Sequence, residues 1–292
     1  MHEHHRYGLT EILYFCAMFS KRLNIILLLA VLLVVGCGKH QKLLKSTDNE
    51  AKYAAAIDYY EKKDYYRALQ LFQTLINFYQ GTEKAEKMQF YYAYCYYHQE
   101  DYVLASYYFK RFANNYPRSQ YAEEAVFMNA YCYYLDSPPS SLDQTNTYTA
   151  INELQLFIDM YPGSARLEEA TKLIDQLRAK LQKKDLDVAD LYLKMRHYES
   201  AIKCYENLLR EYPDTDYKED ILFKILQSYY LYAENSIKAK QEERFQAALD
   251  SYNEFVYQYP ESKYIKEANS MKKSILAYLP AEQSVESEID NN

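Results

Sequence analysis

The chain reads as an all-α protein, an α-solenoid of about five stacked helix hairpins, and two observations predict this fold. The first is a recurring phrase: Tyr116-Pro117-Arg118-Ser119, Tyr161-Pro162-Gly163-Ser164, Tyr212-Pro213-Asp214-Thr215 and Tyr259-Pro260-Glu261-Ser262. Proline cannot continue a helix and biases the residue before it away from helical angles. The Ser or Thr two positions on can cap the next helix by accepting from a free backbone N–H. The second observation is fixed spacing around the phrase. An alanine stands twelve residues before each proline: Ala105, Ala150, Ala201 and Ala248. Three before the alanine comes an aromatic in three copies, Tyr102, Tyr198 and Phe245. Bulky residues follow the alanine at four and seven: Phe109 and Phe112, Leu154 and Phe157, Tyr205 and Leu208, Tyr252 and Phe255.

This is the tetratricopeptide (TPR) pattern, in which each repeat is a pair of antiparallel helices. The aromatic fills the bend, the alanine lets the second helix approach the first, and the bulky residues face the core. Tyr65, Ala68, Phe72, Leu75 and Tyr79 form an earlier copy without its proline. First helices repeat as well: Ala93-Tyr94-Cys95-Tyr96-Tyr97 returns as Ala130-Tyr131-Cys132-Tyr133-Tyr134.

Taken from the N-terminus, residues 1–36 predict a secretory signal, with Met18 as an alternative start. Lys21 and Arg22 precede an apolar run, 25–35, too short to span a bilayer as a helix. The run ends Val34-Val35-Gly36-Cys37, which resembles a bacterial lipobox with Cys37 as the lipidated residue; an ordinary cleaved signal with a coincidental cysteine is the alternative. Residues 37–47 are expected to be a lipidated N-terminus and tether. Gly38-Lys39-His40-Gln41-Lys42 carries no acidic residue, as in outer-membrane cargo. The body is therefore expected in the periplasm, anchored to the outer membrane by acyl chains.

Hairpins one to three are expected over 48–166, a connecting helix over 167–186, hairpins four and five over 187–279, and a disordered acidic tail over 280–292. The stretch from Asp136 to Tyr148 is expected to lengthen the third bend, and the polar run from Ala233 to Glu243 the fifth.

Composition narrows the chemistry. Five glycines and seven prolines leave little room for a β-sandwich or a Gly-rich nucleotide site. The net charge is −7, and the part after residue 37 carries −8 once Arg6, Lys21 and Arg22 are set against Glu3 and Glu11. No basic stripe for tracking phosphates is visible, so nucleic acid is not an expected partner. Cys95, Cys132 and Cys204 fall at core-like helix positions without metal-ligand spacing, and read as small buried hydrophobes; a Cys95–Cys132 bridge is the alternative. Acid pairs such as Glu123-Glu124 and Glu168-Glu169 open helices, where they offset the helix dipole. No hydrolase, P-loop or dinucleotide motif is present. The reading is a binding protein rather than an enzyme, with no cofactor and no metal.

Tyrosine is the anomaly: there are 36, and no tryptophan. Most serve core and bend packing, and a minority are expected to line a groove. In register with the repeated motif, the exposed positions of the first helices are Tyr53, Ile57 and Tyr60, then Phe90, Tyr94 and Tyr97, then Phe127, Tyr131 and Tyr134. Such a trough suits an extended, aromatic-bearing peptide. The alternative is that several of the nine pack against neighbouring hairpins or the N-terminal segment.

A lipobox followed by five TPR hairpins resembles the BamD (YfiO, ComL) family. The resemblance covers most of 48–279. Its most specific parts are the run from Phe157 to Ser164, Val188-Ala189-Asp190-Leu191-Tyr192, and the run from Leu208 to Thr215. It implies an outer-membrane lipoprotein of the β-barrel assembly machinery. The N-terminal hairpins would receive unfolded outer-membrane protein precursors, and the C-terminal hairpins would dock on the POTRA domain of a BamA-like barrel protein. Arg196 and Lys203 are candidates for pairing with acidic partner residues, or solvated surface. Rival readings are a Tol-associated TPR coordinator of the cell envelope, which carries a coiled coil and no lipid anchor, and a SusD-like nutrient-binding lipoprotein, which is much longer.

Overall fold

A computed structural model describes residues 38–279; the signal, Cys37 and the tail 280–292 lie outside the described residues. A short helical segment, 38–44, comes first. Eleven helices follow: α1 (Asn49–Glu61), α2 (Tyr65–Leu75), α3 (Glu83–His98), α4 (Tyr102–Asn115), α5 (Ala122–Leu135), α6 (Thr145–Met160), α7 (Leu167–Lys194), α8 (Tyr198–Glu211), α9 (Lys218–Glu234), α10 (Lys238–Gln258) and α11 (Ile265–Leu276). No strand occurs among the described residues. The protein is an all-α solenoid in which α1 to α10 pair consecutively and α11 closes the series. By internal contacts it divides into two units. One comprises the residues up to Asp136 with Tyr148–Ala170, and the other Ser137–Thr147 with the residues from Thr171 on.

The repeat alanines carry the close approach within each hairpin. Ala68, Ala105, Ala150, Ala201 and Ala248 are all inaccessible to solvent, and Phe72, Phe109, Leu154, Phe157, Tyr205 and Phe255 are equally sealed beside them. Any larger side chain at the alanine would separate the two helices.

Three bends share one geometry that the sequence did not announce. Lys63, Glu100 and Arg196 sit in the left-handed region, with φ of 63°, 62° and 61°. The next N–H in each bend reaches back to a carbonyl of the first helix: Asp64 to Tyr59, Asp101 to Tyr96, His197 to Tyr192. Helices often end this way, usually with glycine at the left-handed position. Asp64 and Asp101 then cap the second helix, accepting from Arg67 N at 3.2 Å and Leu104 N at 3.1 Å. His197 occupies the same place without a side-chain cap.

At the junctions the expected cap takes another form. Tyr121, Tyr217 and Tyr264, rather than the Ser or Thr of the repeated phrase, occupy the N-cap positions, and their side chains make no capping bond. The hydroxyls of Ser119, Ser164, Thr215 and Ser262 instead accept from the N–H two residues on. The first junction lacks proline, and Gly81 supplies the reversal with φ +80°.

Three expectations about irregular segments are corrected. The polar run at 233–243 is mostly helix, so the fifth bend is only 235–237 and the run instead lengthens α10 to 21 residues. The third bend spans 136–144, because Thr145 already opens α6. Its backbone is held by lysines of α7: Lys180 donates to the Ser137 carbonyl at 3.2 Å and Lys184 to the Leu142 carbonyl at 2.7 Å. The connecting helix does not stop at 186 but continues unbroken to Lys194 as the first helix of hairpin four.

The segment expected as a tether is also ordered. His40 is 4 % exposed and bonds Gln70 at 2.7 Å, while Leu43 and Leu44 pack on the core of hairpin one.

Candidate functional site

The first helices of hairpins one to three do bring their aromatic residues together, as a ladder of rings within one unit. Tyr60 stacks on Tyr91 at 4.1 Å and 13°. Tyr65 stacks on His98 at 4.1 Å, and His98 lies 5.8 Å from Tyr94. Tyr94 meets Tyr97 edge-on at 6.0 Å, and Tyr97 lies 6.4 Å from Tyr131. Tyr131 stacks on Tyr134 at 5.7 Å and 15°. Offset and edge-on pairs at these separations satisfy the ring quadrupoles, so the row is pre-ordered rather than a set of independent side chains. Tyr53 stands apart from this row, edge-on to Tyr79 with the Lys84 ammonium over its face.

Two of the nine proposed groove residues leave the set. Phe90 is 4 % exposed and Phe127 1 %, so both belong to the core. Phe90 is enclosed by Phe112 and Tyr121, and Phe127 by Phe157 and the Arg166 guanidinium. The physical reason is helix rotation: residues four before Tyr94 and Tyr131 turn inward, between the second helix of their own hairpin and the junction residues Tyr121 and Arg166 that lead into the next. Tyr53, Ile57, Tyr60, Tyr94, Tyr97, Tyr131 and Tyr134 are half-buried.

The hydroxyls are not equivalent. Tyr94 Oη donates to the Glu124 carboxylate in the first turn of α5. Burial, reinforced by that carboxylate, pushes the Tyr94 phenol well above its ordinary pKa. Burial also raises Tyr60 and Tyr97. These groups therefore stay neutral and offer hydrogen-bonding hydroxyls at neutral pH. Tyr60, Tyr97 and Tyr131 make no side-chain hydrogen bond among the described residues.

Tyr91, His98 and Glu124 were missed in the sequence. His98 follows Tyr94 by four residues, and that helical spacing places both on one face. The signal was available for His98; for Glu124, on the next hairpin, there was none. His98 keeps one edge exposed to solvent, and its partial desolvation beside Tyr65 and Tyr94, with the Lys63 charge, holds the imidazole below its ordinary pKa of 6.5.

In hairpin four, Arg196 is exposed at the left-handed bend, and Lys203 is exposed and pairs with Glu199 one turn back at 3.0 Å. Such a pair is screened by solvent and contributes little to stability. Beside them the last turns of α7 present Val188, Leu191, Tyr192 and Met195, all exposed. Their i, i+3, i+4, i+7 spacing makes one apolar stripe, a signal legible in the sequence but not used.

Cys95 and Cys132 are buried and free, and Cys204 is half-buried and free. Burial raises the Cys95 thiol and pushes Cys132 up to about 12, so both remain protonated. Among the described residues no group of His, Cys, Asp and Glu is arranged to hold a metal ion, and no helix is long and apolar enough to cross a membrane.

Among solved structures, a TPR repeats protein from Bacteroides fragilis is 18% identical, with 80% of this chain and 99% of that chain covered and a TM-score of 0.36. The TPR2AB domain of yeast Sti1 in its pHSP90 complex is 12% identical, with 78% and 98% covered and a TM-score of 0.38. A family model described as YfiO, outer membrane lipoprotein, matches residues 45–244, more than half of the chain. The chain therefore belongs to the YfiO family of outer membrane lipoproteins.

Proposed function

We propose that this protein is the lipid-anchored TPR component of an outer-membrane β-barrel assembly complex, facing the periplasm. In this reading Cys37 carries the acyl chains, and hairpins one to three capture unfolded outer-membrane proteins. The precursors pass to a BamA-like barrel protein whose POTRA domain docks on hairpins four and five. The ring ladder from Tyr60 to Tyr134 is the observation that carries it. A pre-ordered row of rings stacks aromatic side chains of an extended peptide at low entropic cost, and the hydroxyls of Tyr60, Tyr97 and Tyr131 can bond its backbone. The process is capture and hand-over, without a covalent step.

The stripe of Val188, Leu191, Tyr192 and Met195, flanked by Arg196, supports the docking half of the reading. An exposed apolar row with a basic rim matches the anatomy of a protein interface. Photoreactive residues at Tyr97 and Tyr131 should crosslink nascent barrel protein, and photoreactive residues at Leu191 should crosslink the barrel protein's periplasmic domain. Labelling at Tyr97 and Tyr131 no stronger than at outward-facing Gln73 would eliminate the groove.

A further inference from the structure

We propose that the outer face of hairpins one and two, on α2 and α4, rests directly on the phospholipid surface, with no free tether between anchor and fold. The proposal rests on lipidation at Cys37, which belongs to the function proposed above, and adds where the lipid holds the body.

Three independent features converge on this face. First, the chain is fastened immediately after the anchor position. His40 bonds Gln70 of α2 at 2.7 Å and sits edge-on to Tyr59 of α1 at 5.5 Å. Only Gly38 and Lys39 stand between it and Cys37, and three residue steps span at most about 10 Å. Acyl chains leaving Cys37 must therefore enter the bilayer within about that distance of His40, on the side of the fold where His40 meets Gln70.

Second, the same side of the hairpins exposes large apolar groups. Tyr66 lies one turn before Gln70 and is 63 % exposed. Val103 of α4 holds the equivalent repeat position and is 63 % exposed; Tyr107, equivalent to Gln70, is 55 % exposed. Tyrosine with its ring in the acyl boundary and its hydroxyl among headgroups is a preferred interfacial side chain.

Third, the fastened segment is basic. Lys39, Lys42 and Lys45 are exposed, no acidic residue lies between 38 and 47, and none of the three has an ion-pair partner among the described residues. In a chain of net charge −7 such a local excess is out of character, and it matches anionic phospholipid headgroups. A consequence is that the ring ladder, carried by the first helices, faces away from the bilayer toward the periplasm.

The absence of tryptophan makes a direct test available. Full-length lipoprotein is purified with its acyl chains and reconstituted into vesicles of phosphatidylethanolamine and phosphatidylglycerol with brominated acyl chains, which quench tryptophan on contact. Separate Tyr66→Trp and Tyr107→Trp proteins should be quenched at least twofold more than Tyr97→Trp on the ladder side. Equal quenching at all three positions, with Cys37 shown acylated by mass spectrometry, overturns the proposal and leaves the lipoprotein reading intact. A chain unmodified at Cys37 and absent from membranes overturns both. Adding Lys39→Glu, Lys42→Glu and Lys45→Glu to Tyr66→Trp should lower its quenching toward the reference; no change overturns the electrostatic part.

Discussion

Ser164 Oγ donates to Glu123 Oε1 at 2.5 Å while accepting from Arg166 N at 3.0 Å, so one hydroxyl joins the start of α7 to the start of α5. The relationship recurs. Ser119 donates to Glu86, Ser262 donates to Glu219 at 2.6 Å, and Thr215 donates to Gln182 at 3.2 Å. The repeated phrase thus does more than stop one helix and start another. Its hydroxyl ties each incoming helix to the first helix of the hairpin before it, and three of its four partners are carboxylates. Glu123 and Glu219, in the first turns of their helices, both offset the dipole and hold the neighbouring repeat.

Ser164→Ala and Ser262→Ala should each lower stability by about 1 kcal/mol, since a charge-assisted bond is lost and a junction N–H loses its acceptor. Thr215→Ala should cost less, because its partner is a neutral amide. Urea denaturation measures all three. Equal costs at the three sites would remove the distinction between carboxylate and amide partners.

Core and groove should separate under truncation. Phe127→Ala should cost about 3–5 kcal/mol, as for other buried aromatics. Tyr97→Ala should cost about 1 kcal/mol or less and instead weaken capture of unfolded barrel protein. Thermal melts paired with a peptide-binding titration provide the check. A stable Phe127→Ala protein would return that residue to the groove.

The bend of hairpin four is improvable. Arg196→Gly should raise stability by about 1 kcal/mol by removing the penalty for a side chain in the left-handed region. His197→Asp should add about 1 kcal/mol by supplying the cap that Asp64 and Asp101 provide in their hairpins. Both gains are readable from urea midpoints, and neither substitution touches the ring ladder.

His98 makes the ladder sensitive to acid. Partial desolvation against the neighbouring rings first, then the Lys63 charge, lowers its pKa from the usual 6.5. The folded protein therefore binds this proton less readily than the unfolded chain. The contribution of neutral His98 is fully present above about pH 6.5 and is lost as pH falls through the lower folded value. An NMR titration of the imidazole should place its midpoint below 6.5, and Lys63→Gln should move it back upward. A midpoint at or above 6.5 in the native protein would contradict the placement of this ring among Tyr60, Tyr65 and Tyr94.

The sequence by itself determined the hairpins, because their signals are local. Proline stops a helix wherever it stands, and an alanine flanked by bulky residues at four and seven defines a close helix pair before any other part of the chain is known. The repeat alanines and their partners are accordingly buried where the spacing put them. Tertiary structure decided what depends on a neighbour. Whether Phe90 and Phe127 face solvent is settled jointly by Phe112 and Phe157 of the paired helices and by Tyr121 and Arg166 at the next junctions, and the bonds from Ser119, Ser164 and Ser262 need a carboxylate more than thirty residues away. The polar run at 233–243 could be loop or helix on composition alone, since charged residues suit either, and docking of Phe245 and Ala248 draws it into α10. His40 was a polar residue three positions after the expected lipidation site in one dimension; only the fold supplies Gln70 and Tyr59 to hold it.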